Sequence, residues 1–254
     1  MSLLEIPHHE QVYQHRMAAM SEVKARLLTR VAYGSQVLDY GCGAGDVVAS
    51  AHRLRPDLTF VGFDSQPSAV QAARKKRIPQ SRFHLKESDA FMDVLTHPGP
   101  KVLFLSSVIH EIASAYGHEG FLSVLDKASA FDTVVIRDMA YEEATEHLED
   151  AVPDALTGTR WTKEFAEKWG VPNTVPKVAH LMLKSRYTDN WDAEMLENYF
   201  AYSAENLCRT VKARFPVSSH HMHEVPTFLE NEFRTTFGRG PLTCTHLEAV
   251  FHRS

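Results

Sequence analysis

The sequence predicts an α/β fold, a doubly wound and mostly parallel sheet of seven strands with a helical insertion between strands 5 and 6. Three features predict it. Five short apolar runs alternate with helical stretches over residues 36–138. A glycine-rich turn, residues 41–45, directly follows the first run. Residues 139–215 are too many for an ordinary strand connection and are rich in aromatic side chains.

Composition places the chain among ordinary globular proteins. Its 254 residues carry a net charge of −5, and 44% of them are hydrophobic. No apolar run is long enough to cross a bilayer, and the N-terminal residues do not resemble a signal peptide. We therefore expect a cytoplasmic protein without a membrane partner. The three cysteines, Cys42, Cys208 and Cys244, are far apart in sequence, which predicts neither a disulfide framework nor a zinc finger.

The first predicted strand, residues 36–40, ends in a turn that allows close contact with a ligand. Three glycines follow the strand at a spacing of two: Gly41, Gly43 and Gly45. Glycine lets a ligand lie against the backbone and permits positive φ angles. Asp39 and Asp46 flank the turn, and two negative charges suit a ligand with a cationic amino-acid end better than the diphosphate of G-x-G-x-x-G turns.

This stretch resembles motif I of the class I S-adenosylmethionine-dependent methyltransferases, which is an acidic residue followed by x-G-x-G-x-G. The resemblance implies S-adenosylmethionine as the cofactor. It places the methionine end of the cofactor at Asp39, Gly41 and Gly43, and Cys42 is a further residue expected to bind the cofactor. A tight strand-to-helix turn without a ligand is the alternative interpretation of the motif alone.

The second predicted strand, residues 58–63, ends at Asp64. A carboxylate at this strand tip can accept hydrogen bonds from both hydroxyls of a ribose. Ser65 follows and opens the next predicted helix. We therefore expect the ribose of the cofactor at Asp64 and Ser65.

The third predicted strand covers residues 82–86 and leads to a candidate adenine site. The resemblance places the adenine amino group at Asp89 and a ring nitrogen at the next backbone N–H, with Ala90 and Phe91 beside it. An N-cap of a helix is the alternative role for Asp89, and the two roles could coexist.

The fourth predicted strand, residues 101–106, is a nearly continuous apolar run, as expected for a strand buried on both faces. In doubly wound methyltransferases, residues just beyond this strand face the methyl group, and here they follow Ser106, which we assign to the cofactor. His110 could accept a proton from a hydroxyl or amine, since its pKa lies near working pH. Glu111 could orient His110 or bind an amino group of the substrate. Alternatively, His110 only caps or packs.

The remaining core elements complete the predicted sheet. A helix is expected over residues 117–130 and a fifth strand over 131–137. The sixth and seventh strands are expected over 216–224 and 242–252, with a helix over 225–237 between them. In such a sheet the ligand crevice lies at the carboxyl ends of the strands.

The insertion between the fifth and sixth strands shows several helical patterns. They cover residues 142–150, 162–169, 177–187 and 192–208. We interpret this segment as a helical cap that shapes the substrate pocket and excludes water. The chain then divides into a cofactor-binding core, a cap and a C-terminal part, at residues 1–138, 139–215 and 216–254.

Candidate substrate contacts combine aromatic and polar character. Within the insertion they are Arg186, Tyr187, Trp191 and Tyr199. Tyr13 lies on a predicted leading helix, residues 9–31, which commonly closes over the cofactor in the family that the chain resembles. The alternative for the insertion residues is the polar edge of a helix-packing interface.

A histidine-rich stretch at residues 220–224 raises the question of a metal. Along a strand, alternation would leave His221 and His223 on one side. Because no further histidine or cysteine cluster supplies an obvious third ligand, we expect ordinary, partly exposed histidines and no metal.

Methyl transfer to an oxygen or nitrogen of a small molecule under the cap is the function that we expect. One alternative is methylation of RNA or a nucleotide end, with the aromatic residues of the insertion stacking on bases. Nucleic acid is not favoured because the chain is acidic overall. A second alternative is a non-catalytic partner protein that binds S-adenosylmethionine or its product. The sequence indicates no oligomeric state.

Overall fold

The computed structural model describes residues 20–142, 156–238 and 244–254. This part of the chain contains one seven-stranded sheet in the order β3-β2-β1-β4-β5-β7-β6. Its strands are β1 (Gln36–Tyr40), β2 (Thr59–Phe63), β3 (Ser81–His84), β4 (Lys101–Ser106), β5 (Thr133–Met139), β6 (Val217–Glu224) and β7 (His246–His252).

Helices connect the strands. They are α1 (residues 20–26), α2 (Asp46–Leu54), α3 (Pro67–Lys75), α4 (Glu87–Leu95), α5 (Ile109–Lys127), α6 (Arg160–Trp169), α7 (Val175–Lys184), α8 (Trp191–Glu194), α9 (Ala204–Lys212) and α10 (Thr227–Phe237). Short 3₁₀ helices cover Leu27–Arg30, Ala128–Ala130 and Ser185–Asn190. No helix in these ranges is long and apolar enough to cross a membrane.

The strand pairing confirms the predicted mostly parallel, doubly wound sheet. Strands β1 to β5 pair in parallel, β7 pairs antiparallel with β5, and β6 pairs antiparallel with β7. Four consecutive residues of the central strand β4, 102–105, are buried and alternate between two apolar clusters. The continuous apolar run therefore marks a strand covered on both faces, as predicted.

Two predicted helices differ from the structure, and both differences affect the candidate site. The helix expected to begin after Gly117 does follow a kink at that non-helical residue, but a further helical segment, beginning at Ile109, precedes the kink. The helix expected over residues 192–208 is divided, because Ser203 caps a new helix by accepting a hydrogen bond from the Asn206 N–H (3.3 Å). Residues 195–203 thus form a loop instead of a helix.

The insertion helices pack around small cores of their own. One apolar cluster consists of Leu156, Phe165, Leu181, Trp191 and Met195. A second joins α7 to α10, and Tyr199 belongs to it. By contrast, α9 contributes Leu207 and Val211 to the apolar cluster on one face of the main sheet.

A buried arginine connects the three C-terminal strands of the sheet. Arg137 on β5 is 2% exposed and pairs with Glu224 on β6 (2.8 Å) and Glu248 on β7 (3.1 Å). Removing one member of a buried ion pair leaves an uncompensated charge in a medium of low dielectric constant.

We expect Arg137→Met to lower the free energy of unfolding by about 3–5 kcal/mol, because Glu248 loses its buried cation. The double variant Arg137→Met/Glu248→Met should recover part of this loss. Urea unfolding at neutral pH measures the free energy of unfolding of the single and the double variant. A single variant as stable as the unchanged protein would show that the ion pair contributes nothing.

Candidate active site

The glycine turn has the backbone conformation that the sequence predicts. Three of its residues have positive φ: Gly41 (80°), Gly43 (51°) and Gly45 (76°). The N–H groups of Gly41 and Cys42 both donate to the carbonyl of Phe63 (2.8 and 2.9 Å), which ties the turn to the end of β2. A Cβ on Gly41 would lie 2.5 Å from Cγ2 of Val108, so a larger residue does not fit there.

Asp64, at the tip of β2, reaches back to this turn. Its Oδ2 accepts a hydrogen bond from the Gly43 N–H and its Oδ1 accepts one from the Gln66 N–H, each at 2.8 Å. A carboxylate oxygen can accept more than one hydrogen bond, so Asp64 retains capacity for a ligand hydroxyl. Apart from its two chain neighbours, no described residue has an atom within 4 Å of a Cβ placed on Gly43, so the described structure leaves space beside the turn at this residue.

Asp39 is a buried carboxylate directly before the turn. Burial raises its pKa to about 7, although nearby Lys24 acts in the opposite direction. Its Oδ2 accepts no hydrogen bond from any residue that the structure describes. An unpaired buried carboxylate oxygen is costly, and a cationic N–H donor of a ligand would satisfy it.

Lys24, on α1, was not predicted as a site residue. Its side chain is buried, and burial and the charge of Arg137 lower its pKa, while Asp138, Asp39 and Glu111 raise it. A lysine on an amphipathic helix is ordinarily solvated, so the sequence carried no signal for this burial.

The remaining residues predicted to bind the cofactor lie in different environments. Cys42 is buried in the turn, where burial raises the pKa of its thiol. Ser106 is buried at the end of β4, and its Oγ has no hydrogen-bond partner among the described residues. Ser65 is exposed after β2.

The predicted adenine site needs correction in two respects. Asp89 is exposed in the first turn of α4, and the N-cap of that helix is Lys86, so the alternative role of Asp89 as an N-cap is wrong. Phe91 is buried, with its ring centroid 5.7 Å from that of Phe131. Its side chain therefore belongs to the core. Ala90 is fully buried.

His110 lies in the first turn of α5 and is 4% exposed, with its Nδ1 2.6 Å from Oδ1 of Asp138. Oδ2 of Asp138 accepts hydrogen bonds from the backbone N–H groups of Val108 (2.7 Å) and Ile109 (2.6 Å). Asp138 is the third acidic residue near the carboxyl end of a parallel strand, after Asp39 and Asp64. That shared position is the signal by which it could have been predicted.

The charges of this pair are coupled. Burial lowers the pKa of His110, but the charge and hydrogen bond of Asp138 outweigh burial and raise it. Burial raises the pKa of Asp138, but His110 and backbone N–H groups outweigh burial and lower it. Both shifts favour the charged forms of the pair, an imidazolium and a carboxylate.

Glu111 does not have the supporting role predicted for it. The described structure gives it no hydrogen bond to His110, and Asp138 orients the ring instead. The other ring nitrogen, Nε2, lies 3.7 Å from Oε2 of Glu197, a residue that is not among the predicted substrate contacts. Glu111 is exposed by surface area, yet desolvation of its carboxyl group raises its pKa to about 7, with Glu197 and Asp138 adding to the rise and His110 opposing it.

His110, Glu111 and Glu197 are also close enough to share a ligand. One donor atom from each lies within 4.8 Å of the others. A nitrogen and two carboxylates can bind a divalent cation, or they can bind the hydroxyl or amino group of an organic molecule.

Of the predicted substrate residues, Tyr199 contacts this centre. Its ring is nearly perpendicular to that of His110, with the centroids 5.5 Å apart, and it is 3% exposed. Its hydroxyl donates to Glu194, and the ammonium of Lys184 lies 3.8 Å from the ring centroid. Tyr199 is therefore held firmly against the His110 ring.

Trp191, Arg186 and Tyr187 are placed differently. Trp191 is buried in the core of the insertion and its Nε1 donates to Glu164 (2.6 Å), so its prediction as a substrate contact is wrong. Arg186 is exposed, with its guanidinium 4.0 Å from the ring centroid of Phe228. Tyr187 is partly buried in the same 3₁₀ helix. Tyr13 lies outside the described residues.

Comparison with known proteins shows a similar domain over part of the chain and a similar fold over most of it. Residues 33–98 match a family model described as a methyltransferase domain. The sequence matches no curated protein.

Many solved structures have a similar fold at low sequence identity. One is the plantazolicin methyltransferase BamL, crystallised with a triazolic desmethylPZN analog and S-adenosylhomocysteine (TM-score 0.53, 13% identity, 98% of this chain and 91% of that chain). Another is a protein from Nostoc punctiforme described as an O-methyltransferase (TM-score 0.52, 14% identity, 93% and 56%).

A third similar structure is CalO1, a methyltransferase in calicheamicin biosynthesis, in its S-adenosylhomocysteine-bound form (TM-score 0.52, 14% identity, 95% of this chain and 55% of that chain). The chain thus spans little more than half the length of CalO1 and of the Nostoc protein. Residues 33–98 of this chain are thus similar to a methyltransferase domain, and the chain shares the fold of solved methyltransferase structures.

Proposed function

We propose that this protein transfers a methyl group from S-adenosylmethionine to an oxygen or nitrogen of a small molecule bound beside His110. The observation that carries the proposal is the buried His110–Asp138 pair, whose free ring nitrogen faces Glu197. This arrangement lies where parallel strands β4 and β5 end, at the same edge of the sheet as the glycine turn. Ligands of doubly wound sheets bind at this edge.

Three features support binding of the cofactor at the turn. The unpaired Oδ2 of Asp39 suits the ammonium group of the methionine end. The open space beside Gly43 lets a ligand lie against the backbone. Asp64 retains acceptor capacity for the hydroxyls of the ribose. When bound, S-adenosylmethionine supplies a methyl group on a positively charged sulfur.

His110 is the group that we assign to proton acceptance, and Asp138 is its positioning residue. Because Asp138 holds Nδ1, Nε2 is the ring nitrogen that can face an acceptor. His110 must first lose its own proton, and a cationic ligand nearby disfavours a second positive charge. Binding of the cofactor therefore favours the neutral ring.

The acidic residues around His110 favour a methyl acceptor that carries no phosphate group. Glu111, Glu197 and Asp138 surround His110 with carboxylates, which repel phosphate groups and tolerate phenols, alcohols and amines. Two of the similar structures, CalO1 and the pyocyanin biosynthetic protein PhzM, are named for the biosynthesis of small molecules. These points favour a small-molecule acceptor over the end of an RNA chain.

The loop between α8 and α9 supports a role for the insertion in covering the acceptor. It contributes Glu197 and Tyr199 to the His110 environment. The N–H of Asn198 donates to Oγ of Ser114 on α5 (2.7 Å), and the Ser114 hydroxyl donates to the carbonyl of His110 (2.6 Å). These contacts connect the insertion to the helix that carries His110.

We expect Gly43→Ala to weaken binding of S-adenosylhomocysteine at least tenfold, because the new methyl group would enter the space beside the turn. Gly238→Ala is the matched control, since Gly238 also has positive φ (65°) and an added Cβ there would meet no atom of the described residues within 4 Å. Each variant should lose about 1 kcal/mol of stability through backbone strain. Isothermal titration calorimetry measures the affinity, and equal affinities for the two variants would contradict cofactor binding at this turn.

We expect His110→Ala to lower the rate of S-adenosylhomocysteine formation about 100-fold or more, as loss of a general base does. The assay uses a panel of small phenols, alcohols and primary amines. Affinity for S-adenosylhomocysteine should stay within a factor of three. His118→Ala, at an exposed position of the same helix, is the control. A His110→Ala enzyme with full turnover would remove this residue from the mechanism.

The activity should rise with pH, because His110 accepts a proton only after losing its own. Its raised pKa places this rise above the ordinary histidine value of about 6.5. Asp138→Asn removes the main cause of the raised pKa, so the rise should move to lower pH in that variant. A pH profile of kcat/KM, which reports the ionisations of the free enzyme, measures the shift, and identical profiles would contradict the coupling.

A further inference from the structure

The histidines of β6 form a second cluster of polar groups, separate from the candidate active site. His221 and His223 point to the same side of this edge strand, as alternation along a strand predicts. Their Nε2 atoms lie 2.9 Å apart. His220 points to the other face, where its Nε2 is 3.9 Å from Glu248.

The second ring nitrogen of each histidine has its own partner. Nδ1 of His223 lies 2.7 Å from Oε1 of Glu142, and Nδ1 of His221 lies 3.4 Å from Sγ of Cys208. A carboxylate can only accept, so Nδ1 of His223 carries a proton and a neutral His223 ring presents a lone pair at Nε2. A carboxylate that holds Nδ1 is the arrangement typical of histidines that bind a metal through Nε2.

The two facing nitrogen atoms need a hydrogen-bonding proton or a metal ion between them, because two lone pairs repel each other. Without a metal, the Nε2–H of His221 donates to the lone pair on Nε2 of His223. A metal can take this position if the proton of His221 moves to Nδ1 and is donated to Cys208, whose sulfur is a weak acceptor. Tetrahedral zinc with Zn–N bonds of about 2.0–2.1 Å places its nitrogen ligands about 3.4 Å apart, which requires a small movement of the rings.

The surroundings leave room for further ligands. A recess of about 500 Å³ lies beside the two rings, and Glu142, Glu205, Cys208 and Lys212 are among the residues that line it. Two carboxylates against one ammonium make the recess favourable for a cation. Its openness lets water complete the coordination shell.

We propose that His221 and His223 bind a zinc ion through their Nε2 atoms, with Glu142 orienting the ring of His223. Imidazole nitrogen favours zinc and its late first-row neighbours over magnesium, which prefers oxygen. When zinc binds, the proton of His221 moves from Nε2 to Nδ1, and the only hydrogen bond lost is the one between the two rings. The contact of His223 with Glu142 connects this site to the segment after β5.

The test is titration of the metal-free protein with zinc chloride after dialysis against a chelator. We expect one more zinc ion bound by the unchanged protein than by His221→Gln or His223→Gln, or at least a tenfold loss of affinity in these variants. His220→Gln, on the opposite face, should bind as the unchanged protein does. Magnesium chloride should give no binding at this site.

Zinc binding should also raise the thermal unfolding temperature of the unchanged protein and not that of the His221 and His223 variants. Circular dichroism verifies that the variants are folded. The variant His110→Ala distinguishes zinc bound at β6 from any zinc bound by His110, Glu111 and Glu197. Zinc binding at β6 should be unchanged in this variant. Equal zinc binding by the unchanged protein and both β6 variants would overturn the proposal.

Discussion

The carboxylate of Asp138 is the constraint on which the candidate site depends. It accepts hydrogen bonds from the N–H groups of Val108, Ile109 and Met139, and it pairs with Nδ1 of His110. These donors belong to the end of β5 and the start of α5, so one buried side chain fixes the helix and the ring together. Without it, several buried donors would have no acceptor, at about 1–3 kcal/mol each.

The carboxylate of Asp138 also determines which residues of the insertion lie next to the catalytic candidate, His110. Because Asp138 occupies Nδ1, His110 presents Nε2 to the loop after α8, where Glu197 and Tyr199 lie. Tyr199 is held in turn by Lys184 and Glu194, both buried. A chain of buried polar contacts thus leads from the sheet edge into the insertion, and the proposed acceptor site lies along that chain.

The sequence predicted the sheet and the cofactor turn well because their signals are local. Strands buried on both faces appear as apolar runs, and close backbone contact appears as glycines. The position of His110 after β4 was enough to predict it as a site residue. Its hydrogen-bond partner was wrongly predicted to be the neighbouring Glu111. The partner is Asp138, which is 28 positions away in sequence and lies at the end of the adjacent strand β5. The prediction of Trp191 as a substrate contact was wrong because an aromatic residue near polar residues can equally well belong to a core.

A crystal structure with S-adenosylhomocysteine bound tests the central claim most directly. The account predicts the amino-acid end of the ligand beside Asp39 and Gly43, its ribose at Asp64, and its sulfur directed toward Nε2 of His110 with space between them for an acceptor. A ligand bound with its sulfur turned away from His110, or bound elsewhere on the protein, would contradict it.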